Sequence, residues 1–139
     1  MFKPSEKNPF QNFGDGILLV DKPQDWTSHD VCDFVRKRFR IAKVGHAGTL
    51  DPLATGLLVL LIGKATKLSI TLSSCEKEYA GKMELGIQTA SHDRQGEVIN
   101  TAPWESITLE AVRRQAATFT GAILQVPPMV SALKHQGVR

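Results

Sequence analysis

Several features that often reveal a function are missing from this 139-residue chain. The longest apolar run, residues 57–62, is far too short to span a membrane, and the N-terminal residues lack the apolar segment of a signal peptide. The two cysteines, Cys32 and Cys75, share no metal-ligand spacing and do not suggest a disulfide scaffold. We therefore expect a protein of the cytoplasm that contains no metal ion and has no contact with membranes.

Common catalytic signatures are also lacking. The sequence contains no Gly-x-Ser-x-Gly elbow and no His-Glu-x-x-His pair. Lys64 follows Gly63, but the earlier glycine that a phosphate-binding loop requires is absent. These absences argue against the usual hydrolase, nucleotide-binding and zinc-peptidase sites.

What is present is the composition of one globular domain, with 42% hydrophobic and 22% charged residues and a net charge of +3. The basic residues are unevenly distributed, because one stretch of eight positions holds five of them and no acid: Arg36, Lys37, Arg38, Arg40 and Lys43. Such a cluster suits a surface that meets phosphates. It equally suits a helix whose basic last turn complements its own dipole, and both interpretations stay open.

The apolar pattern predicts helices and antiparallel strands that alternate without a βαβ rhythm, which favours the α+β class. Buried strands are predicted at residues 16–20 and 57–62, the second buried on both faces, and further strands at 78–87, 97–99 and 122–126. Helices are predicted at residues 28–40, with Thr27 and Ser28 as caps, at 64–71, and from Thr108 to Gly121. Residues 1–14 are predicted to form a flexible tail, and 43–56 a turn-rich loop.

Asp51 is the leading candidate for a catalytic residue. It lies in the turn-rich loop between Gly48 and Gly56, is followed by Pro52, and precedes the most apolar predicted strand. A carboxylate fixed beside a rigid strand suits a nucleophile or a base. The alternative is an ordinary Asp-Pro turn that bonds only its own backbone.

Four sequence blocks together resemble the TruB-type tRNA pseudouridine synthases. The string from Val44 to Leu58 is similar to the signature loop of that family and matches it at ten positions: Gly45, His46, Gly48, Thr49, Leu50, Asp51, Pro52, Ala54, Gly56 and Leu58. The other blocks are residues 16–28, with a Lys22-Pro23 turn, residues 77–96, with Tyr79, and residues 125–134. Val130 departs from the aromatic residue usual in the last block.

The resemblance implies an isomerase, an intramolecular transferase that converts the T-loop uridine 55 of tRNA into pseudouridine without a cofactor. It implies that Asp51 is the nucleophile, acting at C6 of the base or C1′ of the ribose. Tyr79 would pack on the base, and His46 would meet the RNA beside the flipped nucleotide. Lys22 would support the site or contact a phosphate, and Lys64 would join the basic cluster as a possible RNA contact. We expect the T-arm of tRNA as partner and a monomer.

The resemblance also implies a catalytic domain with a mixed, mainly antiparallel sheet flanked by helices. Residues 15–139 would be its N-terminal portion, because similar enzymes continue with an arginine that pairs with the aspartate, further strands and often an RNA-binding domain. We therefore expect this chain alone to be weakly active or inactive. Three alternatives stay open: a related isomerase guided by a separate RNA, a tRNA-binding or tRNA-folding module without turnover, and a structural fragment.

Overall fold

A computed structural model of the chain describes residues 14–125. These residues divide into two units, which separate between Glu78 and Tyr79. The predicted tail and the block at 125–134, including Val130, lie outside the described residues, except for Gly14 and Gln125. Within residues 14–125, no helix is long and apolar enough to cross a membrane.

The first unit contains a three-stranded antiparallel sheet and three helical segments. Its elements in chain order are β1 (Gly16–Lys22), α1 (Ser28–Phe39), β2 (Val44–His46), β3 (Gly56–Ile62), a 3-10 helix (Gly63–Leu68) and α2 (Ser69–Ser73). The strand order is β1-β3-β2, so the most apolar strand is central. In the β1–β3 pair, Lys22 lies opposite Gly56 and therefore beside the loop that precedes β3.

Helix α1 begins where its sequence signals predict. Thr27 accepts a hydrogen bond from the backbone N–H of Asp30, and the Asp30 carboxylate accepts one from the backbone N–H of Thr27, which completes a capping box. The helix ends at Arg40, which adopts a left-handed conformation with φ 54°. The predicted helix at 28–40 is thus confirmed to within one residue.

The core of the first unit lies between α1 and one face of the sheet. The helix contributes Val31, Cys32 and Val35, and alternate residues of β3 contribute Leu58, Leu60 and Ile62. These side chains are buried together because the helix, with a period of 3.6 residues, and the strand, with a period of two, each present one apolar side. The core therefore fixes β3, which follows the candidate catalytic loop, and α1, whose first residue is hydrogen-bonded to that loop.

The opposite face of the same sheet is covered only in part by described residues. Leu61 is fully buried, but Leu57 is 65% exposed on the same strand, and Leu19 of β1 is 63% exposed. The prediction that β3 is buried on both faces is therefore correct at its C-terminal end and wrong at its start. The prediction of a buried first strand is wrong for the same reason, since β1 alternates between half-buried and exposed residues.

The second unit, described over residues 79–125, contains a two-stranded hairpin and one helix. Strands β4 (Ile87–Thr89) and β5 (Val98–Thr101) pair antiparallel, and α3 (Leu109–Ala117) follows with Thr108 as its N-cap. The strand predicted at 97–99 is confirmed to within two residues, and the helix start predicted at Thr108 is confirmed. The helix ends at Ala117, four residues before the predicted end at Gly121, and the apolar side chains of Leu109 and Phe119 are exposed.

Three other predictions of regular structure are wrong. Of the strand predicted at 78–87, only Ile87 lies in a strand, as the first residue of β4, and residues 78–84 pair with no backbone among the described residues. An alternating pattern needs a partner strand to become a sheet. Residues 122–125 also form no strand. Conversely, β2 lies inside the stretch expected to be all loop, where Val44 pairs with Ile62 at the sheet edge. The helix expected at 64–71 is present as the 3-10 helix followed by α2.

Candidate active site

Asp51 lies in the loop that joins β2 to β3, with its side chain exposed to solvent. Its backbone carbonyl accepts a hydrogen bond of 3.0 Å from the N–H of Ala54, which closes a turn over Pro52. Gly48 and Gly56 have φ angles of +119° and +114°, a conformation that other residues rarely adopt. The two glycines thus give the loop its shape, while Asp51 points outward from it.

The residue before Asp51 is held by the start of α1. The backbone N–H of Leu50 donates a hydrogen bond of 2.9 Å to Oγ of Ser28, and this hydroxyl donates one of 3.3 Å to the carbonyl of Leu50. Ser28 is 2% exposed, and the Leu50 side chain packs against the core. The N-terminal side of the Asp51 turn is therefore attached to the longest helix of the first unit, which packs against the core.

The residue after Asp51 is held by the turn that follows β1. The carbonyl of Pro52 accepts hydrogen bonds from the N–H of Asp25, at 2.8 Å, and from Nζ of Lys22, at 3.2 Å. The same Nζ donates to the carbonyls of Pro23 and Trp26, at 2.9 and 2.6 Å. An ammonium group has three hydrogens to donate, so these three carbonyls satisfy Lys22, which is fully buried. This geometry suits a support for the loop rather than a contact with phosphate.

The carboxylate of Asp51 itself is available for chemistry. Among residues 14–125, no side chain forms an ion pair or a hydrogen bond with it. The carboxylate of Asp21, in contrast, accepts a hydrogen bond of 3.1 Å from the N–H of Gly56 and so supports the start of β3. The arrangement thus combines a fixed backbone with an unengaged carboxylate, as a nucleophile or a base requires.

His46 lies on β2 at the edge of an open groove near the same loop. Its Nδ1 donates to the carbonyl of Gly48 at 2.6 Å, because a carbonyl can only accept. This bond places the proton on Nδ1 and leaves Nε2 for another partner. The groove has a volume of about 540 Å³ and is lined by His46, Gly48, Thr49, Ser69, Ile70, Ser73 and Ser74.

The predicted phosphate-contacting residues lie on the surface of the first unit. Arg36 and Lys37 pair with Asp33 at 2.8 and 3.8 Å, and Lys64 pairs with Asp15 at 3.7 Å. Exposed pairs of this kind contribute at most about 1 kcal/mol, so they leave the cations able to exchange partners. Arg38 lies 5.9 Å from the ring of Phe39, Arg40 ends α1, and Lys43 is exposed. Both interpretations of the cluster, RNA contact and helix end, remain compatible with this arrangement.

Tyr79 belongs to the second unit and is 70% exposed. In that unit, the carboxylate of Asp93 closes a turn by accepting hydrogen bonds from Ser91, Gln95 and Gly96. The hydrogen bond from the Ser91 side chain, followed by the one from Gln95, holds the pKa of Asp93 below its usual value.

Within the described residues, no group of three His, Cys, Asp or Glu side chains could hold a metal ion.

Ser28 and Asp25 are the contributors that the sequence pattern did not reveal. The sequence predicts Ser28 only as a helix cap and gives no role to Asp25. A weak signal exists for Ser28, since Thr27 already supplies the capping hydroxyl and a second one beside it needs another partner. No local signal identifies that partner, which lies 22 residues further along the chain.

The fold and this loop define an α+β protein with an anchored, solvent-facing aspartate, and comparison with known proteins assigns it to a family. The sequence model described as TruB family pseudouridylate synthase (N terminal domain) matches residues 36–139. The chain therefore belongs to the TruB family, which confirms the predicted resemblance, and the α+β class is confirmed as well.

Several curated relatives carry the name tRNA pseudouridine synthase B. The one from Opitutus terrae is 52% identical over 124 residues, which cover 89% of this chain and 52% of that protein. Those from Streptomyces avermitilis and Microcystis aeruginosa are 50% and 48% identical, covering 90% and 89% of this chain and 42% of each relative. The chain thus spans about half the length of the curated relatives it matches.

Proposed function

We propose that this chain supplies the Asp51 nucleophile of a tRNA pseudouridine synthase, an isomerase that converts a uridine of tRNA into pseudouridine. Membership of the TruB family and the names of the relatives support the reaction and the substrate class. The observation that carries the assignment is the turn in which Leu50 and Pro52 are both held from outside while the carboxylate between them faces solvent.

The reaction breaks the N1–C1′ bond of uridine, joins C5 to C1′, and moves a proton from C5 through solvent to N1. Any bond formed by the nucleophile is broken again before the product leaves. The reaction needs no net oxidant, reductant or energy source, and we expect no cofactor. Asp51 would attack C6 of the base or C1′ of the ribose, and by either route the carboxylate must be ionised and fixed in direction. The exposed position of Asp51 leaves its carboxylate accessible to the substrate.

We propose uridine 55 in the T-loop as the target, which must be flipped out of its stack at a cost of a few kcal/mol. His46 would meet the RNA beside the vacated position, with Nε2 as its available ring nitrogen. Tyr79 would pack on the flipped base. Arg36, Lys37, Arg38, Arg40, Lys43 and Lys64 would contact the backbone of the T-arm, where a basic surface attracts phosphates. Lys22 would support the loop. We further propose a cytoplasmic monomer.

The decisive experiment measures tritium release from tRNA that carries C5-tritiated uridine. The protein is this chain extended to the length of its relatives, for which the C-terminal half of the Opitutus terrae protein is a suitable donor. We expect release, and we expect Asp51→Asn to lower its rate by more than about 10³-fold, as loss of a nucleophile does. Asp25→Asn is the matched control, since it removes the same charge from an exposed aspartate beside the loop and keeps the backbone N–H that binds Pro52.

Each other outcome has a clear meaning. If neither the extended protein nor its Asp51→Asn variant releases tritium but both bind tRNA, the protein is a tRNA-binding module without turnover. If Asp51→Asn retains activity, Asp51 is not the nucleophile. The 139-residue chain is assayed beside the extended one, and we expect weak or no turnover from it, because no described cation pairs with Asp51.

A further inference from the structure

We propose that Ser28 is a positioning residue for Asp51: its hydroxyl fixes the peptide that joins Leu50 to Asp51 and so sets the direction of the carboxylate. The inference rests on the proposed function for its catalytic consequence, while the contact on which it depends belongs to the structure alone.

The hydroxyl of Ser28 is not needed as a cap for α1. It lies on the first residue of α1, but Thr27 caps that helix, with its own side chain bonded to the N–H of Asp30 at 3.0 Å. A buried hydroxyl without a partner is costly. Ser28 is 2% exposed, and its hydrogen-bond partner is the backbone of Leu50.

The geometry of this contact resembles the pairing of one strand residue with another. A single hydroxyl can accept one hydrogen bond and donate another, and Ser28 does both with the same residue, at 2.9 and 3.3 Å. The carbonyl of Leu50 and the N–H of Asp51 share one planar peptide group. Holding that carbonyl therefore holds the peptide from which the Asp51 side chain departs.

The other side of Asp51 leaves little freedom either. A residue that precedes proline is restricted to extended backbone conformations, and the Pro52 carbonyl is held by Asp25 and Lys22. The Asp51 backbone therefore lies between two held peptides, which set the direction in which its side chain leaves the loop. Of the two attachments, the one through Ser28 connects directly to the core, because Val31, Cys32 and Val35 on the same helix pack against β3.

The consequence is catalytic, because an ångström of misplacement at a reacting group costs about 100-fold in rate. In the extended protein, we expect Ser28→Ala to lower kcat by about 10- to 100-fold and to leave KM for tRNA nearly unchanged. The matched control is Thr27→Ala, which removes the adjacent hydroxyl and weakens the same helix without touching the loop. We expect its kcat to stay within about twofold of the unsubstituted protein, since its cost falls on stability.

A second measurement reads the contact directly in the 139-residue chain. Hydrogen exchange of the Leu50 amide, followed by NMR, should be at least about tenfold faster in Ser28→Ala than in Thr27→Ala, because the N–H loses its acceptor. Ser28→Thr keeps the hydroxyl and should restore both the protection of Leu50 and kcat. If Ser28→Ala does not fold, Ser28→Cys, of similar size but with a weak donor and acceptor, should show the same fall in kcat.

The outcomes separate the inference from the function on which it rests. No tritium release by the unsubstituted extended protein overturns the proposed function and with it the catalytic role of Ser28. Normal release by the unsubstituted protein, with an equal kcat for Ser28→Ala, overturns the inference alone. Equal losses of kcat in Ser28→Ala and Thr27→Ala also overturn it, since they indicate general weakening of α1. Unchanged exchange of the Leu50 amide shows that the contact does not hold the loop.

Discussion

The two units of the chain have similar apolar patterns but differ in what they bury. All the buried hydrophobic residues of the described range lie in the first unit: Val31, Cys32, Val35, Leu58, Leu60, Leu61 and Ile62. In residues 79–125 no residue is buried, and large apolar side chains are exposed, among them Met83 at 80% and Phe119 at 65%. The second unit has secondary structure with caps and a hairpin, but no core of its own among the described residues.

This difference explains where a rigid catalytic loop is found. A functional side chain is held accurately only when the elements that carry it are fixed by packing. The Asp51 loop joins β2 to β3 and is bonded to the start of α1, so it depends on the one core that the described residues form. Tyr79 lies outside that core, and its orientation has no comparable support within residues 79–125. The comparison predicts that the first unit has the greater stability.

The largest expected effect comes from removing core volume. Leu60→Ala should lower the free energy of unfolding by about 3 kcal/mol, because Leu60 is fully buried between α1 and the sheet. The matched control on the same strand is Leu57→Ala, at 65% exposure, for which we expect less than about 1 kcal/mol.

The chain offers a separate fluorescence probe in each unit for this measurement. It has two tryptophans, Trp26 in the first unit and Trp104 in the second, so Trp104→Phe and Trp26→Phe each leave a single reporter. We expect Leu60→Ala to shift the urea transition seen by Trp26 far more than the one seen by Trp104. Equal shifts at both probes would show that the two units unfold as one.

The sequence predicted the fold of the first unit well because its signals are local. Thr27 and Asp30 form a capping box three residues apart, and the apolar run at 57–62 forms the central strand, although Leu57 at its start is exposed. The strand predicted at 78–87 is wrong except at Ile87, for the opposite reason. Alternation specifies which side chains share a face, but not whether another strand lies alongside to accept the backbone hydrogen bonds.

The candidate site was also predictable only in part. Asp51 could be singled out because glycines and proline around one carboxylate are visible in the sequence, and the family resemblance strengthened the choice. The attachment of its neighbours was not visible. Ser28 and Leu50 are separated by 22 residues, and Lys22 and Pro52 by 30, so these hydrogen bonds exist only after α1 and β1 have packed. Local patterns thus identified the reacting group, while its support required the tertiary structure.

An intermediate effect is expected at Gly63, where β3 ends and the 3-10 helix begins. Its φ is +60°, and an added Cβ would collide with the carboxylate of Asp15, which accepts the N–H of Lys64 at 2.7 Å. Gly63→Ala should lower the free energy of unfolding by about 1–2 kcal/mol, from the left-handed conformation and the loss of that hydrogen bond. The control in the second unit is Gly81→Ala, which has open space around it. If both variants melt alike, Asp15 does not anchor the end of the sheet.

The smallest expected effects come from the helix caps, which test the comparison most finely. Thr27 and Thr108 cap α1 and α3 in the same way, each through its side-chain oxygen. Thr27→Ala should lower the free energy of unfolding seen by Trp26 by about 1 kcal/mol, because α1 is part of the core. Thr108→Ala should shorten α3 without moving the Trp26 transition, since α3 contributes no buried residue. A matching shift from both would contradict the difference between the units.

The pH dependence of stability tests the role of Thr27 in a second, independent way. The hydrogen bond from the Thr27 side chain, with a further one from its backbone, lowers the pKa of Asp30 below its usual 3.8. A lowered pKa in the folded state means that the ionised form is the one stabilised on folding. The contribution of Asp30 to stability is therefore complete above pH 3.8 and is lost as the pH falls through the lowered pKa.

Thr27→Ala should return the pKa of Asp30 towards its usual value, as an NMR titration of its carboxyl carbon would show. The stability of that variant should also depend less on pH in this acid range, and an unchanged slope would mean that Thr27 does not set the charge state at the start of α1.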